Sequence, residues 1–142
     1  MKMMPSFEFE QHYSGIVAGI DEAGCGPWAG PVVASACIFL NQNQQMSLLD
    51  LINDSKVLTK KKREIIFQQL IELPSHQFCY GVGLASVDEI DQMNIGKATR
   101  LAMQRAVDCL PVSPESRGPV LKGPVFPASY GETVAPPPYR RA

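Results

Sequence analysis

The chain has 142 residues, enough for one ordinary domain and too few for two. With 45% hydrophobic and 19% charged residues it can bury a core, which excludes disorder along its whole length. A formal net charge of -1 gives no general attraction to polyanions, so any contact with nucleic acid must be local.

The longest apolar stretches, such as Val32 to Leu40, are too short to cross a bilayer. Glu8 and Glu10 stand where a signal peptide needs its apolar segment, so a cytoplasmic location without a membrane partner is expected. Cys25, Cys37, Cys79 and Cys109 lie 12, 42 and 30 positions apart with no C-x-x-C pair, which predicts reduced thiols and no zinc clip. His12 and His76 have no partner at metal-ligand spacing and are assigned no role.

In chain order, an N-terminal extension over residues 1–14 precedes an ordered body over 15–110. Gly15 to Asp21 (GIVAGID) and Pro31 to Leu40 (PVVASACIFL) read as strands joined by a turn rich in glycine, with Gly24, Gly26 and Gly30. Asn41 to Gln45 is a polar loop. Thr59 can cap a helix running to about Glu72, with Ile65, Ile66, Leu70 and Leu73 on one side and four cations, Lys60 to Arg63, in its first turn. Those cations oppose the helix dipole, which points to a task other than helix stability.

Phe78 to Ala85 reads as a third strand, and Ser86 with Glu89 fits a capping box. Asn94 can cap a helix from Ile95 to Leu110, on which Ile95, Ala98, Leu101, Ala102, Ala106 and Leu110 share a face. The order β, β, α, β, α indicates a layered α/β domain. Eight of the twelve prolines follow Leu110, so residues 111–142 form an atypical tail in which regular structure is not expected.

The chemistry concentrates at Asp21 and Glu22. Two carboxylates at a strand exit, followed by GCGPWAG with its open backbone N–H groups, suit a divalent cation beside a phosphate. Neighbouring strand residues point to opposite faces, so both acids can serve one centre only if the chain bends at Glu22. On spacing alone a plain charged strand end is the better reading. The glycines do not form a dinucleotide fingerprint, because Gly24, Gly26 and Gly30 lead into a strand where that motif needs a helix.

The segments AGIDEAGCGPWAGPVVASACIFL, NDSKVLTKKKRE and YGVGLASVDEIDQMNIGKATRLAMQRAV resemble ribonuclease HII, in order, from Gly15 to Leu110. The resemblance implies a ribonuclease H-like mixed sheet flanked by helices. It also implies cleavage of the RNA strand of RNA/DNA hybrids, including single ribonucleotides in duplex DNA, with Mn²⁺ or Mg²⁺. On it, Asp21 and Glu22 match the first two metal-binding carboxylates, and Gly24, Cys25 and Gly26 match the G-R-G loop that contacts the ribonucleotide 2′-OH. Lys56 of the DSK motif matches a phosphate-contacting position, and the Lys60 to Arg63 cluster is either a solvated helix end or a further hold on the hybrid backbone.

The chain also departs from that pattern. Cys25 replaces the arginine of G-R-G, and VLKG (Val120 to Gly123) places Lys122 where the family has a third carboxylate. No aspartate follows Asp108; the later acids are Glu115 and Glu132, neither in a matching motif. The expectations are therefore one weakly held cation, little or no turnover, and a fold that lacks its C-terminal part. The strand beside Asp21 should be missing and apolar sheet surface exposed. The switch to Pro-rich sequence near Glu115 has the character of a frameshift. Three functions follow: a ribonuclease HII-type endonuclease, monomeric when soluble; a hybrid-binding remnant without cleavage; and an interaction segment built on PPPYRR.

Overall fold

The computed structural model describes residues 5–11, 16–26, 30–40, 46–111 and 121–123. His12, the 41–45 loop, Glu115, Glu132 and most of the tail lie outside the described residues. Among the described residues no helix is long and apolar enough to cross a membrane.

β1 (Val17–Ala23) and β2 (Val32–Phe39) run antiparallel, in register from Gly19 opposite Cys37 to Ala23 opposite Val33. β2 pairs antiparallel with β3 (Phe78–Ala85), from Val32 opposite Ala85 to Phe39 opposite Phe78. β4 (Leu121–Gly123) pairs parallel with β1, giving a mixed sheet of order β3-β2-β1-β4. The helices are α1 (Glu8–Gln11), α2 (Met46–Leu49), α3 (Lys60–Ile71), α4 (Val87–Met93) and α5 (Ile95–Asp108).

Two expectations are corrected here. The first strand does not stop at Asp21; its ladder with β2 continues to Ala23, so Asp21 and Glu22 lie inside β1 and the bend falls at Gly24. The strand beside β1 is present as a short one, where the edge of β1 offers unpaired backbone groups. Pro119 and Pro124, which lack the N–H that a ladder needs, bracket it.

The core lies between the sheet and α5. Side chains alternate, so Ala18, Ile20 and Glu22 share a face with Val32, Ala34, Ala36 and Ile38. Against that face α5 presents Ala98, Ala102 and Ala106, all fully buried. The approach is close enough that a Cβ at Gly81 or Gly83 would strike the α5 backbone at Ala106 or Ala102. Asn94, at φ 74°, ends α4 and starts α5, its side-chain oxygen accepting the Lys97 N–H at 3.1 Å.

The Ser86–Glu89 capping box forms as expected. Arg105 grips Glu89 through two bonds of 2.7 and 2.8 Å and also donates to the Leu84 carbonyl, tying α5 to α4 and the end of β3.

The opposite face is only partly covered. Phe7 is buried against Phe39, so the described part of the N-terminal extension reaches the sheet there. A cavity of about 320 Å³ separates α3 from the sheet, lined in part by Cys37, Phe39, Ile66, Leu70, Phe78 and Tyr80. Of the expected α3 face only Ile66 is buried, while Ile65 is exposed. Tyr80, Val82 and Leu84 are 43%, 49% and 46% exposed, which agrees with the expected uncovered sheet surface.

Candidate active site

Asp21 and Glu22 are neighbours on β1 but start out on opposite faces. Asp21 is exposed on the open face, level with Ser35, and Glu22 is half-buried on the α5 face, level with Ala34. Asp21 Oδ1 accepts the Glu22 N–H at 2.9 Å, which folds the Asp21 carboxylate back toward its neighbour. The Glu22 carboxyl is raised above its ordinary value, first by burial and next by the negative charge of Asp21, while the Lys56 ammonium pulls it back down. Residues 21, 22 and 56 thus meet electrostatically although 34 positions separate Glu22 from Lys56.

The turn carrying Lys56 is built from its own polar groups. The Asp54 carboxylate accepts the Lys56 N–H at 2.9 Å, and the Asp54 carbonyl accepts the Val57 N–H at 2.9 Å. Thr59 caps α3 by accepting the Lys62 N–H at 3.3 Å. Within the cationic first turn, Lys60 faces Glu64 at 3.8 Å, both well exposed.

The Gly24–Gly26 loop leaves β1 through a left-handed residue. Gly24 has φ +94°, and a Cβ there would stand 2.6 Å from the Pro31 carbonyl oxygen, so both conformation and space require glycine. Nothing lies within 4 Å of a Cβ at Gly26, which leaves its backbone open to a ligand. Cys25 turns toward α5, its sulfur 3.2 Å from the Thr99 hydroxyl. Thr99 was not anticipated from sequence, since one hydroxyl in the first turns of an alanine-rich helix carries no periodic signal.

Among the described residues no group of three or more His, Cys, Asp or Glu side chains is placed to hold a metal ion. The β4 backbone sets Lys122 level with Ala18. His76 is exposed, and none of the four cysteines forms a disulfide.

A mixed α/β sheet with an acidic pair in an interior strand belongs to the ribonuclease H class, and solved structures agree. Ribonuclease H2 from Pyrococcus horikoshii is 34% identical with a TM-score of 0.54, covering 69% of this chain and 46% of that one. A mutant of Bst-RNase HIII, at 19% identity and a TM-score of 0.57 over 82% of this chain and 39% of that one, shares the fold.

The sequence profile of ribonuclease HII matches residues 18–128, and the chain belongs to that family. The match takes in the VLKG segment. Ribonuclease HII of a Wolbachia from Drosophila simulans is 43% identical over 103 residues, 72% of this chain and 48% of that protein. Ribonuclease HII of Chlamydia pneumoniae is 48% identical over 100 residues, 70% of this chain and 44% of that protein. The chain spans about half the length of the curated relatives it matches.

Proposed function

We propose that this site binds the RNA strand of an RNA/DNA hybrid, or a single ribonucleotide in duplex DNA, and supports slow metal-assisted hydrolysis of the phosphodiester. The observation that carries the reading is the Asp21–Glu22 pair near the end of β1, bonded through the Glu22 N–H and followed by a glycine loop, with Glu22 raised first by burial and next by the Asp21 charge. Two oxygen donors that repel each other fit one hard divalent cation, Mn²⁺ or Mg²⁺, and are too few for two. When bound, such a cation polarises the phosphate and makes attacking water more acidic.

The chain's own residues do the rest. Asp21 and Glu22 hold the cation, the Gly24–Gly26 backbone meets the 2′-OH, and Lys56 contacts a phosphate. A second reading, a hybrid-binding remnant without cleavage, is favoured by the lack of a third acid at the pair among the described residues.

The test is cleavage and binding of a labelled DNA duplex carrying one ribonucleotide, with either cation, for the wild-type chain and Asp21→Asn. The amide oxygen of Asn can still accept the Glu22 N–H, so this change removes charge while keeping the local bond. Slow cleavage that disappears in Asp21→Asn supports the nuclease reading. Preferential binding without cleavage selects the remnant, and equal binding of an all-DNA duplex overturns both.

A further inference from the structure

The cationic start of α3 contains one residue that is not available to a phosphate in the way its neighbours are. Arg63 Nη1 donates to the Ser55 carbonyl at 2.9 Å and to the Leu58 carbonyl at 2.7 Å. These carbonyls flank Lys56 and Val57, so one guanidinium closes both ends of the turn between α2 and α3. Inside that turn the Asp54 side chain holds the Lys56 N–H, and the Asp54 carbonyl accepts from Val57 and Leu58 at 2.9 and 3.3 Å. Lys56 is exposed on this short segment, which Asp54 holds from within and Arg63 from α3.

We propose that Arg63 is a positioning residue: by clamping the Ser55 and Leu58 carbonyls it holds the turn from which Lys56 meets the phosphate of the bound strand. The proposal rests on the hybrid-binding reading and reassigns Arg63 from phosphate contact to support. A guanidinium suits this task because it stays charged and each terminal nitrogen carries two N–H donors, so Nη1 alone reaches both carbonyls.

The experiment is a double-mutant cycle on the full chain with Arg63→Ala, Lys56→Ala and the double variant. Two quantities are read: affinity for the ribonucleotide-containing duplex across a salt series, and amide hydrogen exchange of Val57 and Leu58 in the free protein. Lys56→Ala should flatten the log–log salt dependence by about 0.9, the value of one phosphate contact. Arg63→Ala should reproduce much of that loss, and the double variant should bind no more weakly than Lys56→Ala alone. Exchange at Val57 and Leu58 should quicken in Arg63→Ala and stay unchanged in Lys56→Ala.

Additive losses, with the salt dependence flattening twice, would show that Arg63 contacts phosphate itself and overturn the proposal. Unchanged exchange in Arg63→Ala would overturn the clamp, and so would wild-type affinity in that variant. A wild-type chain without preference for the ribonucleotide duplex overturns the functional reading, and is recognised before any variant is compared.

Discussion

The Cys25 sulfur stands 3.2 Å from the Thr99 hydroxyl, and that hydroxyl already donates its hydrogen to the Ile95 carbonyl at 2.8 Å. The thiol is therefore the donor, and the glycine loop is pinned to the first turns of α5 by an S–H···O contact where the family pattern has an arginine. A thiol contact is weak and neutral, whereas a guanidinium can fork onto a phosphate.

Replacing Cys25 by arginine should trade the pin for a charge. With one added phosphate contact, Cys25→Arg should steepen the log–log salt dependence of duplex binding by about 0.9 and raise affinity at low salt. Fluorescence anisotropy over a salt series reads both. Weaker binding at every salt concentration would show that loop placement, and not charge, limits this site.

A pH effect follows from the bond network that ties α4 to α5. The Arg105 guanidinium, and then the Ser86 N–H at 2.9 Å, hold the Glu89 carboxyl at about 2, down from 4.5. A carboxylate lowered on folding contributes stability that is fully present above its unfolded value and is lost as pH falls toward its folded one. Glu89→Gln should thus be less stable than wild type at pH 7 and lose less on acidification between about pH 5 and pH 2. Urea denaturation at several pH values checks it, and parallel acid profiles for the two proteins would sink the assignment.

Local signals were readable in the sequence; pairing between distant segments was not. Strands β2 and β3 follow from continuous apolar runs, and the caps at Thr59, Ser86 and Asn94 follow from a side-chain oxygen placed just ahead of a helix. β1 ran past its apolar run because its length is decided by Val33 and Ala34 on the facing strand. β4 depends on an open edge of β1 that no local pattern announces. At the candidate site, the acidic pair and the glycine loop stand out from the residues themselves and Lys56 only through the resemblance, and the Lys56 charge acts to lower the Glu22 carboxyl. The Arg63 bonds to Ser55 and Leu58 were not legible, because a side chain that bonds two main-chain carbonyls looks in sequence like one more cation in KKKR.

Two glycines separate what the fold needs from what the site needs. Gly83 faces α5, and a Cβ there would meet the Ala102 carbonyl oxygen, the Ala106 nitrogen and, at 2.7 Å, the Arg105 Cβ. All three atoms belong to α5, whose backbone cannot swing away as a side chain can, so Gly83→Ala should lose roughly 1–3 kcal/mol, the usual cost of overpacking a core. Gly26 has no neighbour within 4 Å of the added carbon, so Gly26→Ala should stay within about 0.5 kcal/mol of wild type. If its bare backbone is there to admit a ribose, Gly26→Ala should nonetheless weaken binding of the ribonucleotide duplex while leaving all-DNA binding unchanged. Urea unfolding and paired anisotropy titrations measure the two effects separately. A stable Gly83→Ala would mean that α5 can lift from the sheet, and unaltered ribonucleotide preference in Gly26→Ala would remove the loop from the recognition surface.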